Sequence, residues 1–227
     1  MNGIFRYTII AVICGLFMTQ SFANAQDKTT PPTAGKPQKA DKTDKTENTE
    51  KTPKGLAPVT LEDLAVNFPE VEGWNTSEIQ KYPTEDLGFS VNYESRTGGK
   101  VTIYVYNAGK KNIPNDVADK VVKEEFNKVK AEIKAVAEMG VYENLKEIKN
   151  DTVTLGETSG KIKALHALYN FSVKGQNLTS EIYIFGHENR FIKIRATRPR
   201  DKNESGDKLV TELLKEIDAY FSKSFQL

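Results

Sequence analysis

Residues 88–106 read GFSVNYESRTGGKVTIYVY, and this stretch decides the fold class. Apolar residues alternate with polar ones in both halves of the stretch, at Phe89, Val91 and Tyr93 and then at Val101, Ile103 and Val105. Alternation with a period of two is typical of a half-buried β-strand. Gly98 and Gly99 lie between the halves, where glycine permits the backbone of a tight turn. The stretch therefore predicts an antiparallel β-hairpin.

The period of the apolar residues changes after the hairpin. They recur every three or four positions, at Val122, Phe126, Val129, Ile133 and Val136. This spacing predicts an amphipathic helix from about Asp116 to Met139. Four β-type runs separated by glycines follow, at Ile148–Leu155, Lys161–Val173, Leu178–Phe185 and Phe191–Arg198, and a second amphipathic helix is expected over Ser205–Ser224. The order ββαββββα predicts an α+β fold in which an antiparallel sheet of about six strands packs with two main helices.

This order of elements resembles the PsbP-like α/β sandwich superfamily, which includes DcrB-like and uncharacterised bacterial secreted proteins. The strings GFSVNY at 88–93, VTIYVY at 101–106 and FIKIR at 191–195 carry the resemblance. The resemblance implies a PsbP-like sandwich and a non-catalytic accessory or binding role. No functional motif of the superfamily matches this chain, so no site residue is carried over, because a fold alone does not specify a function.

The N-terminal residues 1–25 are typical of a secretory signal peptide. Arg6 precedes an apolar run from Ile9 to Met18, and Ala23-Asn24-Ala25 precedes Gln26. The run is about half of the ~20 residues that a membrane-spanning helix needs. We therefore expect cleavage before Gln26, export to the periplasm or beyond the cell and no membrane span afterwards; retention as an anchor is the alternative. The single cysteine, Cys14, lies in this segment, so the mature chain has no thiol.

The rest of the chain divides into a polar segment and one domain. Residues 26–55 are rich in Lys, Thr and Pro and predict a disordered tether. Residues 56–227 are long enough for a single globular domain, which begins with a short helix predicted from Thr60 and Asp63 and ended by Pro69. The 32 basic and 31 acidic residues nearly balance, which gives no electrostatic argument for binding nucleic acid.

Catalytic motifs are lacking in the sequence. His166 lies in the middle of a predicted strand, where a half-buried, hydrogen-bonded histidine is expected, and His187 is predicted at an exposed hairpin tip. No nucleophile elbow, phosphate loop or His-Glu-x-x-His zinc motif occurs. Four glutamates of the first helix, Glu124, Glu125, Glu132 and Glu138, interleave with lysines and predict ion pairs within the helix. We therefore expect no enzyme and no cofactor, apart from the calcium hypothesis that follows.

The segment DKNESGDKLVTE at 201–212 approximates a calcium-binding loop. Its candidate ligands are Asp201, Asn203, Ser205, Asp207 and Glu212, which alternate around a glycine and end with a glutamate that can bind through both oxygens. Lys208 and Leu209 depart from the pattern. The alternative is a helix start in which Asn203 or Ser205 caps the final helix and Asp207 favours its dipole.

A second candidate site follows the last predicted strand. Its candidate partner-binding residues are Phe191, Lys193, Arg195, Arg198 and Arg200. Ile192, Ile194 and Ala196 alternate with the first three residues and are expected on the opposite face of the strand. A basic surface with one aromatic residue could meet an anionic partner. The alternative is a half-covered sheet surface paired with nearby acids.

Three functions remain open at this point. The first is a non-catalytic interaction or accessory module of the bacterial cell envelope, whose tether lets the domain search for an envelope protein that the sequence does not identify. The second is a carrier of a small apolar ligand between the sheet and the long helix. The third is an enzyme that uses only carboxylates. We favour the interaction module, because catalytic motifs are lacking and the tether is present.

Overall fold

Eight strands and two long helices make up the fold in the computed structural model, which describes residues 68–156 and 160–224. The strands are β1 (Trp74–Thr76), β2 (Gln80–Lys81), β3 (Phe89–Ser95), β4 (Lys100–Tyr106), β5 (Glu143–Thr154), β6 (Lys163–Val173), β7 (Gln176–His187) and β8 (Arg190–Pro199). The helices are α1 (Lys120–Glu138) and α2 (Asn203–Ser224), and a short 3-10 helix (Arg200–Lys202) precedes α2. The predicted signal peptide, the tether and residues 60–67 of the predicted first helix lie outside the described residues.

The α+β class and the antiparallel sheet are confirmed, but the number and order of the strands differ from the prediction. The sheet runs β1-β3-β4-β8-β7-β6-β5, with β2 also paired to β3, and every pairing is antiparallel. The element order is ββββαββββα rather than ββαββββα. The sequence did not predict β1 and β2 because strands of three and two residues are too short to show an alternating pattern.

The predicted hairpin forms between β3 and β4. Val91 pairs with Ile103, and Gly98 in the turn has a φ of 84°, which favours glycine. Strand β4 then pairs with β8 rather than with β5, so that Ile103 lies opposite Ile194. This pairing places β8 in the middle of the sheet and leaves β5 at its outer edge.

Helix α2 covers one face of the sheet, which we call the α2 face. Leu213, Ile217 and Phe221 of the helix are fully buried, and the Phe221 ring lies 5.7 Å from the Phe185 ring in an edge-to-face contact. At the other end of the helix, Trp74 Nε1 donates a hydrogen bond to the Leu209 carbonyl at 3.3 Å. The alternation along β8 puts Ile192 and Ile194 on this face, opposite Lys193 and Arg195 as predicted.

Helix α1 covers the opposite face, which we call the α1 face. All five predicted apolar residues of α1 are buried. The helix begins four residues later than predicted, because the Asp119 side chain accepts a hydrogen bond from Val121 N at 2.7 Å and caps it there. Helix α2 begins at Asn203, two residues earlier than predicted. The two helices therefore sandwich the sheet and set which side chains can reach solvent.

Candidate functional site

The five residues predicted to bind a partner lie on or next to β8. Phe191, Lys193, Arg195 and Arg198 are at most 9% exposed, and Arg200 is half-buried. The expectation of an exposed basic surface is wrong, because β4 and β7 flank β8 and a helix covers each face of the sheet. Lys193 and Arg195 face α1, whereas Arg198 lies on the α2 face with Glu181. Phe191 packs beside Tyr106 on the α1 face, whereas Arg200 donates from Nη2 to the Leu178 carbonyl at 3.4 Å. The five residues therefore do not form one site, and their binding to a partner stays a prediction.

The first cluster is a row of charged side chains that crosses the α2 face, and we call it the charged ladder. It consists of Asp151, His166, Glu181, Arg198 and Asp207, from β5, β6, β7, β8 and α2 in turn. His166 Nδ1 lies 2.8 Å from Asp151 Oδ1, and His166 Nε2 lies 3.6 Å from Glu181 Oε1. Arg198 donates from Nη1 to Glu181 Oε2 at 2.8 Å and from Nε to Asp207 Oδ1. The ladder therefore alternates in sign when His166 is protonated.

Hydrogen bonds decide the protonation of the ladder. Burial lowers the pKa of His166, but the hydrogen bonds to Glu181 and Asp151 outweigh burial, so that the pKa is raised above its usual value. Burial raises the pKa of Glu181, whereas His166 and Arg198 lower it by more. The His166 ring also stacks on Tyr183 at 4.7 Å. Because both ring nitrogens face carboxylates, His166 is not placed to activate a hydroxyl nucleophile.

The second cluster lies beneath α1, around Lys193. Its Nζ lies 4.2 Å from the centre of the Tyr104 ring and 5.6 Å from that of Tyr106, close enough for cation–π attraction. Burial lowers the pKa of Lys193 to about 8, and the nearby carboxylate of Glu132 offsets part of this effect. The Tyr106 hydroxyl donates to Glu125 Oε1 at 2.9 Å. A polar, charged layer thus occupies the space between the sheet and α1.

Arg195 extends this layer along β8. Its Nη2 donates to the Tyr142 hydroxyl at 3.0 Å, and its Nε donates to Ser180 Oγ at 3.3 Å. The guanidinium carbon also lies 5.6 Å from the centre of the Tyr142 ring. Hydroxyl and ring contacts from β7 and from the segment after α1 therefore fix the direction of the guanidinium.

The candidate calcium ligands do not form a loop. Asp201 lies in the 3-10 helix, and Asn203, Ser205, Asp207 and Glu212 lie in α2. A helix rises about 1.5 Å per residue, so these residues spread along its axis instead of surrounding one ion. Asp207 pairs with Arg198, and Glu212 lies 4.0 Å from Lys208. Within residues 68–156 and 160–224, no three acidic, histidine or cysteine side chains are placed to hold a metal. The expected loop is a helix in the structure, and calcium binding itself stays a prediction.

A site that sequence reasoning missed is the outer edge of the sheet. Strand β5 has 12 residues, and all of them except Leu145 and Val153 are exposed. Among the described strands it pairs only with β6, so its other side carries unpaired backbone groups. Ile148 is 43% exposed. Four of the six residues from Lys146 to Asp151 are charged, which leaves no continuous apolar face. This is the sequence signal that could have identified an edge strand.

The regular part of this edge borders a groove. The pairing of β5 with β6 is irregular between Glu143 and Lys149 but continuous from Asn150 to Thr154. Beside the continuous part lies a groove of about 320 Å³ between α1 and β5, which we call the β5 groove. Its floor includes Phe126 and Leu165, and its other lining residues are Lys123, Asn127, Asn150, Asp151 and Thr152. The groove is open, mostly polar at its rim and apolar at its floor.

Comparisons with known proteins give similarities of fold only. No protein-family model matches the chain, and no curated protein matches it. The solution structure of cyanobacterial PsbP (CyanoP) from Synechocystis sp. PCC 6803 matches 62% of this chain and 81% of its own at 10% identity and a TM-score of 0.40. The crystal structure of the Saccharomyces cerevisiae Ran-binding protein Mog1p matches 68% and 82% at 13% identity and a TM-score of 0.36.

A variant of the protein Mog1 matches 69% of this chain and 84% of its own at 12% identity and a TM-score of 0.35. PsbP and Mog1 share the PsbP-like fold that the sequence resembles. Similarities this distant carry no argument about activity, partners or site residues. Separately, no helix in the described part of the chain is both long enough and apolar enough to cross a bilayer.

Proposed function

We propose that this protein is a non-catalytic interaction module of the bacterial cell envelope, exported through its N-terminal signal peptide. The module binds an extended segment of a partner protein along the outer edge of β5. The observation that carries the proposal is this edge: a long, solvent-exposed strand whose outer backbone groups have no partner among the described residues. Such an edge accepts a further strand, which gains main-chain hydrogen bonds along its whole length.

The half of β5 from Asn150 to Thr154 suits strand addition best. Its register is continuous, and it contains Thr152, Val153 and Thr154, which are residue types that favour strands. The other half carries Lys146, Lys149 and two register shifts, which are features that discourage strand pairing. The β5 groove lies beside the favourable half, so a side chain of the added strand can pack on Phe126 and Leu165. Main-chain pairing then supplies affinity, and the groove supplies selectivity.

The alternatives have less support. An apolar ligand carried between the sheet and α1 would have to displace the charged layer of Lys193, Glu125 and Arg195, which costs free energy because buried charges need their partners. An enzyme that uses only carboxylates would need free acids in a cleft. Glu124 and Glu125 instead lie 3.6 Å from Lys120 and 3.9 Å from Lys128, as the sequence predicted for this helix.

Site-specific photo-cross-linking in the native cell envelope tests the proposal. A photoreactive residue is placed in turn at Asn150, Thr152 and Thr154, and at Asn75 on the opposite edge of the sheet as the control. The mature chain is expected in the exported fraction with Gln26 as its first residue. The cross-linked residue of the partner, located by mass spectrometry, is expected to move along one extended segment in step with the probe.

Two cross-linking results would overturn the proposed strand addition, and one fractionation result would overturn the proposed export. Cross-links that scatter over several partner segments would argue against strand addition, because paired strands keep a fixed register. A partner captured from Asn75 but from none of the β5 positions would place the interaction elsewhere. Retention of the chain in the cytoplasmic fraction would overturn the export part alone.

A further inference from the structure

A cavity of about 480 Å³ lies at one end of the sheet, and none of its lining residues belongs to either cluster or to the β5 groove. Four elements meet there: the loop before α1, the start of β6, the end of β7 and the last turns of α2. The lining residues that matter for its chemistry are Val117, Lys161, Ile162, Lys163, Gly186 and Ser222. The volume lies within the range of roughly 300 to 1,000 Å³ that is usual for sites of small organic molecules.

Long-range hydrogen bonds fix the wall next to α2. Asp218 of α2 is buried, and its Oδ1 accepts from Lys161 N at 3.0 Å and from Ile162 N at 2.9 Å. The Ile162 carbonyl accepts in turn from Leu155 N at 2.8 Å. The segment that carries both lysines is therefore held against the helix before any ligand arrives, which reduces the ordering cost of binding.

The opposite wall is equally constrained. A Cβ atom at Gly186 would lie 1.9 Å from the Pro114 carbonyl oxygen, so β7 approaches this loop as closely as only glycine allows. Asn189 Oδ1 accepts a hydrogen bond from Ile113 N at 2.8 Å and fixes the same loop from the other side. The cavity is thus a feature of the packed fold.

The lining combines positive charge with apolar surface. Lys161 and Lys163 are exposed, and neither ammonium lies within 4 Å of a carboxylate among residues 68–156 and 160–224. Lys161 lies just before β6, Lys163 is the first residue of β6, and both line the cavity. Val117 and Ile162 are buried apolar residues.

The remaining polar groups of the lining are few. Asp116 is the one acid in the lining, and its Oδ1 accepts a hydrogen bond from Ala118 N at 2.8 Å. Ser222 is 7% exposed, and its hydroxyl has no hydrogen-bond partner among the described residues. A buried hydroxyl normally has a partner, so Ser222 offers a hydrogen bond to a molecule in the cavity.

We propose that this cavity binds a small amphipathic anion, namely a carboxylate with an alkyl chain of medium length. The carboxylate lies between the ammonium groups of Lys161 and Lys163, and the chain packs on Val117 and Ile162. The Ser222 hydroxyl offers a polar contact inside. This site shares no residue with β5 or the β5 groove, and it neighbours them through Lys163, which pairs with Thr154 of β5.

Titration of the mature chain with decanoate, followed by amide NMR, tests the proposal. Saturable shifts are expected at the backbone amides of Lys163 and Gly186, and not at those of Glu143 at the far end of β5 or Asn75. Decanol lacks the charge of decanoate, and acetate lacks its long alkyl chain. Both are expected to bind at least tenfold more weakly than decanoate. Equal binding of decanol, or no saturable shift with decanoate, would overturn the proposal.

A pair of matched variants separates this site from general attraction to lysines. The double variant Lys161→Gln, Lys163→Gln removes two exposed charges at the cavity and is expected to weaken decanoate binding at least tenfold. The control Lys146→Gln, Lys149→Gln removes two exposed charges from β5 and is expected to leave the affinity unchanged. Equal losses in the two variants, or no loss in the first, would show that the cavity does not select the anion.

Discussion

His166 connects the edge strand to the rest of the charged ladder. The sequence predicted a hydrogen-bonded histidine within a strand, and this is confirmed, although the side chain is more deeply buried than expected, at 4% exposure. His187 differs from the prediction of an exposed loop residue: it is the last residue of β7 and is 1% exposed beside Phe221. The end of this hairpin is covered by helix α2. This contact is distant in the sequence, so the position of His187 between two strands did not indicate that it is buried.

The raised pKa of His166 predicts a pH-dependent stability. A histidine whose pKa is higher in the folded than in the unfolded state stabilises the fold fully below the unfolded pKa of 6.5, and this contribution is lost as the pH rises through the folded pKa. Asp151→Asn is therefore expected to lower the free energy of unfolding by about 1 kcal/mol at pH 5.5, and by less at pH 8.5. Urea unfolding at the two pH values measures both differences.

The control for this prediction lies on the same strand. Glu143 is an exposed acid at the beginning of β5, and Glu143→Gln is expected to show no difference between the two pH values. If Asp151→Asn lost the same free energy at pH 5.5 and 8.5, its contact with His166 would not depend on the charge of the imidazole.

Lys193 predicts an effect of the opposite sign. A lysine whose pKa falls from 10.5 to about 8 on folding destabilises the fold at neutral pH, and this cost is lost as the pH rises from 8 to 10.5. Lys193→Met removes the charge and shortens the unbranched side chain by one atom. It is expected to raise the free energy of unfolding at pH 7, by at most about 3 kcal/mol, and by less at pH 9.5.

Urea unfolding of the Lys193→Met variant at both pH values measures this effect, with the exposed Lys149→Met as its control. The contacts of the ammonium with Tyr104 and Tyr106 act in the opposite direction. A variant that is less stable at pH 7 would therefore contradict the prediction and show that these ring contacts outweigh the desolvation of the charge.

At the scale of elements, α1 is the best-predicted part of the fold. Its residues are close in the sequence, and the spacing of the apolar positions alone defines the buried face. Strand β5 was predicted only from Ile148 onward, because its first half is charged on both faces and owes its conformation to β6. The charged ladder was not predicted either, since it depends on the register of four strands, which local periodicity does not specify.

Because the α1 face is buried, truncating an apolar side chain on it is expected to cause a large loss of stability. Phe126 is 4% exposed beneath the helix, and Phe126→Ala is expected to cost about 3 to 5 kcal/mol because it removes buried apolar surface and leaves a cavity. Chemical denaturation measures the loss. Lys134→Ala on the exposed side of the same helix is the matched control and is expected to change stability by less than about 0.5 kcal/mol. A loss below about 1 kcal/mol for Phe126→Ala would contradict the packing described for α1.

At the scale of the whole molecule, the sequence predicted the class of the fold but not the neighbours of each strand. The alternation along β8 correctly separated Ile192 and Ile194 from Lys193 and Arg195. It could not reveal that β8 lies between β4 and β7, because this pairing joins segments about 90 residues apart. That pairing buries Lys193 and Arg195. It also explains why the structure has two clusters where the sequence predicted a basic surface.

The pairing of β4 with β8 also sets the order in which the chain can fold. The first four strands form a partial sheet whose β4 edge has no partner until β8, the last strand, has been made. The long loop between β4 and β8 must close, at a cost in conformational entropy, before contacts between the two strands can stabilise the fold. Strands β5 to β8 are joined in sequence and can form earlier as a local unit. Docking of the two halves is therefore expected to limit the folding rate, as non-local pairing generally slows folding. A chain that ends before Arg190 lacks β8 and would expose the bare edge of β4 to aggregation.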